Sequence, residues 1–203
     1  MCSGDTMKVF FHTLGCKVNQ YETQEMREQL KKNGYEITDD ENVADIFVIN
    51  SCTVTSESDR KTRQCVRHYK KKYPESTVVL TGCMPQSFPE MAEKLTEADI
   101  VLGNKNNKLL TSSLDEYFGE CCRILHLEQH QSGESLVSSG ISDFEERTRA
   151  TLKIEDGCDR FCSYCIIPKA RGRVRWKPIE DIKNEVEALA DNGYREIVLV
   201  GIN

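Results

Sequence analysis

Three short runs rich in β-branched and aromatic residues, 8–13 (KVFFHT), 45–50 (DIFVIN) and 77–81 (TVVLT), alternate with charged stretches long enough to be helices. Near-continuous apolar strands suit a sheet buried on both faces, and strands joined by helix-length crossovers pair in parallel. The alternation therefore predicts a βαβαβ core. Helices are expected over 19–33, stopped at Asn33-Gly34, and over 56–73. Residues 99–102 (DIVL) add a fourth strand and 107–118 a further helix. The fold class expected for 1–118 is α/β, an open and mostly parallel sheet with helices on its faces.

From Gly119 onward the periodicity fades and Ser, Gly and Glu accumulate (HQSGESLVSSGISDFEE), so 119–147 reads as a linker. Residues 148–203 open a second domain. A strand is expected over 149–154 (RATLKI), then a helix over 178–192, with Pro178 in its first turn and Ile179, Ile182, Val186, Leu189 and Ala190 on its apolar face. A second strand follows over 196–200 (EIVLV). A barrel of alternating strands and helices takes about 250 residues. One strand, helix and strand is therefore the start of such a barrel, incomplete as it stands.

No apolar stretch of the 203 residues approaches the roughly 20 needed to span a membrane, and the start lacks the basic-then-apolar build of a signal peptide. No membrane partner is expected, and the cytoplasm is the expected compartment. A net charge of -6 argues against a surface that coats nucleic acid and confines any RNA contact to local basic patches. Ten cysteines in a reducing compartment point to thiols that bind metal or react, because disulfides are rare there.

Cys158, Cys162 and Cys165 stand in GCDRFCSYC, just after the strand 149–154. Three thiolates on one loop can close on one metal centre. A structural zinc site wants four protein ligands, whereas three on a four-iron cluster leave one iron open to bind something else. Cys16, Cys52 and Cys83 form a second set, each just past the carboxyl end of a predicted strand. Those ends share one rim of an open parallel sheet, so the three distant thiols are expected to converge. The plainer alternative is three half-buried core cysteines.

Other groups carry weaker signals. Lys169, Arg171, Arg173, Arg175 and Lys177 alternate along PKARGRVRWK, and an extended chain would set all five on one side, toward a cofactor carboxylate or an RNA backbone. Arg60, Arg63, Arg67 and Lys70 or Lys71 follow helical spacing and read as an ordinary solvated face. Cys121, Cys122, His126 and His130 make a poor zinc site, since adjacent cysteines in an extended chain point apart. Cys65 reads as a core or passive thiol and Cys2 has no reading. His12 reads first as a core histidine and second as an outer partner of the Cys16 site.

The three-cysteine spacing, with aromatic Tyr164 before the last cysteine, resembles the signature of the radical S-adenosylmethionine superfamily. TLGCKVNQYET, INSCTVT, TGCMPQ and GCDRFCSYCIIPKARGRVR, in that order, resemble the methylthiotransferase family within it, over about 8–203. Met84-Pro85 departs from the Tyr-Ala frequent in that family, and Trp176-Lys177 from its frequent Ser-Arg. The resemblance implies two 4Fe-4S clusters, one on Cys16, Cys52 and Cys83 and one on Cys158, Cys162 and Cys165, with S-adenosylmethionine bound at the second beside Tyr164. It assigns no further catalytic side chain. CKVNQYE is most similar to the branch that adds a methylthio group to C2 of N6-threonylcarbamoyladenosine at position 37 of tRNA. The siblings act on isopentenyladenosine in tRNA or on a ribosomal-protein aspartate. The implied partners are a tRNA anticodon loop, a reductant such as flavodoxin or ferredoxin, and a sulfur donor. A reading of another class is a non-catalytic two-cluster electron carrier. Family members also carry a complete barrel and a small RNA-binding domain, so a chain of this length is not expected to be active alone.

Overall fold

The computed structural model describes residues 6–131, 133–136, 140–142 and 149–202. Cys2 lies outside them, as does part of the stretch read as a linker. Six parallel strands form one sheet: β1 (Lys8–Thr13), β2 (Glu36–Ile37), β3 (Ile46–Ser51), β4 (Thr77–Gly82), β5 (Ile100–Leu102) and β6 (Ile124–His126), in the order β2-β1-β3-β4-β5-β6. All six residues of β3 and of β4 are buried, because helices cover both faces. Successive side chains of β3 serve opposite cores. Ile46 and Val48 pack with Met26 and Leu30 of helix α1 (Lys17–Lys32) and with Leu110 and Leu114 of α5 (Leu110–Glu120), whereas Phe47 and Ile49 pack with Val66 and Tyr69 of α2 (Ser56–Lys72).

The expected α/β class and the four expected strands are present. Asn33 caps α1 as expected, with its N–H donating to the Leu30 carbonyl. In this first region β2, β6 and two short helices have no counterpart in the sequence reading. β2 is two residues long and β6 three, too short to show a period. Helices α3 (Cys83–Ser87) and α4 (Pro89–Glu93) are single turns, separated where Phe88 leaves the helical conformation before Pro89. β6 also lies inside 119–147, so the first sheet runs past Phe118 into the stretch read as linker.

The second region begins with β7 (Ala150–Lys153), paired in parallel with β10 (Ile197–Val200), and α7 (Ile179–Asp191) crosses between them. A small antiparallel pair, β8 (Glu155–Asp156) with β9 (Arg175–Trp176), brackets a loop and the short helix α6 (Ile167–Arg171). Tyr21 of α1 is fully buried among Ala150, Leu152 and Leu189, so one apolar cluster joins the two regions. No described helix is long and apolar enough to cross a membrane.

Candidate metal centre

β1, β3 and β4 are neighbours in the sheet, and each ends against a cysteine. Cys16 caps α1 after β1, Cys52 follows β3, and Cys83 is the first residue of α3 directly after β4. All three are free thiols on one rim, where ligands meet open parallel sheets. Buried amides fix the turns. The Asn19 side-chain oxygen Oδ1 accepts from the Cys16 N–H at 3.4 Å and lies 3.3 Å from Cys16 Sγ, while its Nδ2 donates to the Ser51 backbone carbonyl at 3.1 Å. Asn50 Nδ2 returns a bond to the Asn19 carbonyl at 2.9 Å. Ser51 Oγ donates to the Thr81 carbonyl at 2.6 Å and accepts from the Met84 N–H at 3.2 Å, tying the end of β3 to the start of α3.

Two glycines let these turns approach. A Cβ on Gly15 would sit 2.9 Å from Cys52 Cβ, and one on Gly82 would sit 2.4 Å from the Ser51 carbonyl oxygen, at a φ of +98° that L residues rarely adopt. Gly82→Ala is therefore expected to destabilise the protein by about 2 kcal/mol or more from backbone strain alone, measured by urea unfolding. A wild-type midpoint would show that the turn yields.

Cys52 and Cys83 are buried and Cys16 is exposed, leaving the group open to solvent on one side. Burial pushes the Cys83 thiol up to about 11, so it is a neutral thiol until a cation binds and displaces its proton. Among the described residues no three His, Cys, Asp or Glu side chains gather closely enough to hold a single metal ion. A four-iron cluster makes a different demand, since each thiolate meets its own iron and the three sulfurs stand wider apart than around one ion. Three free thiols, one open side and turns closed by glycines suit such a group.

Cys158, Cys162 and Cys165 lie on the loop between β8 and α6. Cys158 is buried, its N–H donating to the Gly172 carbonyl at 3.1 Å, and the Cys165 N–H closes a turn onto the Cys162 carbonyl at 2.9 Å. Phe161 takes a left-handed conformation at φ +47°. Tyr164 projects from the loop with 90% of its surface exposed. The helix that ends this loop, α6, packs against α3, the helix that begins with Cys83. The two cysteine sets thus sit on adjoining elements.

Between them lies a buried group of charges that the sequence reading did not foresee. Glu22 of α1 accepts from Arg171 of α6 at 2.7 and 3.1 Å and from Lys153 of β7 at 2.9 Å. Asp156 of β8 accepts from Arg171 at 3.1 Å through both oxygens and from Lys153 at 3.3 Å. Burial alone would raise both carboxyls, but Arg171 and Lys153 outweigh it and hold them below the usual carboxylate range. One signal was present: Val18, Glu22, Met26 and Leu30 fall on one stripe of α1, all buried, with the glutamate among apolar residues.

That group corrects the reading of PKARGRVRWK as one extended cationic edge. Lys169 and Arg171 belong to a helix, and Arg171 is 1% exposed. Lys177 is also buried, bonding Tyr21 Oη at 2.8 Å and Glu185, while Arg175 is held by Glu134 and by the Arg171 carbonyl. Only Lys169 and Arg173 of the five remain exposed, over the rings of Phe88 and Phe161 respectively, with Arg173 also 3.5 Å from the Asp159 carboxylate. The zinc alternative does not assemble. His126 pairs with Glu116, His130 with Glu134 and Asn104, and Cys122 with Glu120. His12 is bonded by Tyr69 at 3.0 Å, on the face covered by α2. Cys65 is half-buried, its thiol pushed up to about 12 by burial. The cations of α2 are largely paired, Arg60 with Glu57, Arg67 with Glu97 and Lys70 with Asp99, as an ordinary solvated face would be.

Comparison with known proteins finds two family matches in this chain. Residues 8–103 match the uncharacterized protein family UPF0004, and 152–203 match the radical SAM superfamily. Relatives include the threonylcarbamoyladenosine tRNA methylthiotransferases MtaB of Bacillus subtilis and Aquifex aeolicus, 40% and 39% identical over 96% of this chain. The tRNA-2-methylthio-N(6)-dimethylallyladenosine synthase of Staphylococcus haemolyticus is 32% identical over 94%. The chain spans less than half the length of these relatives: 43%, 48% and 38%. With both family matches in the order of the two cysteine sets, the chain belongs to the methylthiotransferase family of radical S-adenosylmethionine proteins.

Proposed function

We propose that this chain is the amino-terminal part of a tRNA methylthiotransferase that modifies N6-threonylcarbamoyladenosine at C2, at position 37. The observation that supports the proposal is the placement of two three-cysteine sets on adjoining elements, one on the rim of β1, β3 and β4, the other on the loop whose closing helix α6 packs on α3. The names of the relatives at 40% and 39% identity favour threonylcarbamoyladenosine over the dimethylallyl nucleoside of the relative at 32%.

In this reading Cys16, Cys52 and Cys83 hold one 4Fe-4S cluster, and Cys158, Cys162 and Cys165 hold the other, beside Tyr164 and S-adenosylmethionine. When bound, these groups supply the radical that removes hydrogen from a carbon too weakly acidic for any side-chain base, and the sulfur that replaces it. The chain's own residues position. Asn19, Asn50 and Ser51 lock the three rim turns, and the Glu22, Asp156, Lys153 and Arg171 group fixes the radical loop against that rim. Of the five cations of PKARGRVRWK, Lys169 and Arg173 are the two on the surface, where RNA phosphate would reach them, Arg173 in competition with Asp159.

The test is nucleoside analysis of tRNA from a strain lacking the full-length gene and complemented with it. Restoration of 2-methylthio-N6-threonylcarbamoyladenosine is expected, and restoration of the methylthio isopentenyl nucleoside instead would move the protein to the sibling branch. Lys169→Ala with Arg173→Ala is expected to weaken tRNA binding and to reduce the slope of log affinity on log salt by about one to two units. Unchanged binding and slope would return both cations to the solvent.

A further inference from the structure

Arg171 lies at the end of the short helix that closes the Cys158, Cys162 and Cys165 loop. Its guanidinium is held from two sides: Glu22 takes NH1 and NH2 on separate oxygens, and Asp156 takes NH1 on both of its own. Glu22 lies on α1, the helix that Cys16 caps, and Asp156 stands just before Cys158 in the chain. Arg171 ends α6, which packs on α3, the helix that begins with Cys83. The four charged groups balance, two cations against two carboxylates, and all are buried.

Resting on the reading of Cys16, Cys52 and Cys83 as a cluster site, we propose that Arg171 is a positioning residue whose fixed charge sets the reduction potential of that cluster, with Glu22 opposing it. The argument is electrostatic. Reducing a cluster adds one negative charge to it, and the potential of such a centre follows the charge, hydrogen bonding and solvent exposure around it. In a dry interior a fixed guanidinium favours the reduced form and a carboxylate disfavours it. Arginine does not lose its proton in proteins, and the fork of four bonds stops this one from turning away. The charge also crosses from one region to the other, so the amino-terminal site acquires it only when the radical loop is docked.

The experiment uses the full-length protein, reconstituted anaerobically and carrying Cys158→Ala, so that the amino-terminal cluster is observed alone by potentiometric titration with electron paramagnetic resonance. Arg171→Met is expected to disfavour reduction at least tenfold, 59 mV for a one-electron couple. Glu22→Gln, close in shape, is expected to favour it by a similar factor, and Arg171→Lys to stay within about threefold of the parent. Opposite shifts are the signature of charge, because a purely structural role would move both variants the same way. Shifts of one sign, or none, overturn the proposal. If Arg171→Met does not fold, Glu22→Gln decides alone: a raised potential supports the role, and an unchanged or lowered one ends it. Absence of iron and sulfide from the Cys158→Ala parent is a different failure, that of the cluster reading itself.

Discussion

Glu22→Ala is expected to lower the unfolding free energy by about 3–5 kcal/mol, the range found when one member of a buried ion pair is removed. The substitution leaves Arg171 and Lys153, both buried, facing Asp156 alone, and opens a space where the carboxylate was. Glu22→Gln fills that space and still accepts a hydrogen bond, so its loss is expected to be smaller. The pH dependence gives a second readout. Glu22 and Asp156 are held below the ordinary carboxylate range, so the stability they contribute is fully present above their unfolded values, near pH 4. It is lost as the pH falls through their lower folded values. Urea unfolding between pH 7 and pH 3 is expected to show this acid loss in the parent and a shallower one in Glu22→Ala. Equal stability of parent and variant at pH 7 would mean that the group is solvated rather than closed.

Cys158→Ala is expected to halve the iron of the reconstituted full-length protein, from about eight to about four per chain, and to abolish reductive cleavage of S-adenosylmethionine. Cys83→Ala is expected to halve the iron as well, yet to leave cleavage in place while methylthiolation is lost. The asymmetry separates a radical site from a sulfur-carrying one, and both from a two-cluster electron carrier, which would cleave nothing in any form. One zinc per chain with no sulfide would remove the cluster assignment altogether.

The strands that carry the rim were legible because burial on both faces leaves a dense apolar run, as in the 45–50 segment, and because parallel pairing sends every such strand the same way. Cys16, Cys52 and Cys83 inherit their shared rim from that rule. Charged residues obeyed no comparable rule. Arg171 and Arg173 look alike in PKARGRVRWK, yet one is enclosed and the other exposed. What separates them is a partner far away in sequence, Glu22, and the single helical turn of α6 that ends the alternation. Short elements failed for another reason. β2, β6 and the β8–β9 pair offer two or three residues each, and are held by neighbours already in place rather than by their own pattern.

The bond between Glu22 and Arg171 spans 149 residues of chain. At a synthesis rate of about 5–20 residues per second, the carboxylate is made roughly 7–30 s before its guanidinium. The last strand of the six-stranded sheet ends at His126, before Lys153 and Arg171 are made, so a chain that folds as it is synthesised would hold Glu22 on the flank of that sheet without these two partners. Arrival of the second region then requires that water be stripped from four charges at once. A chain that folds as it is made would therefore set Cys16, Cys52 and Cys83 on their rim before α6 and the radical loop pack beside them, and would leave those thiols open to iron and sulfide in that interval.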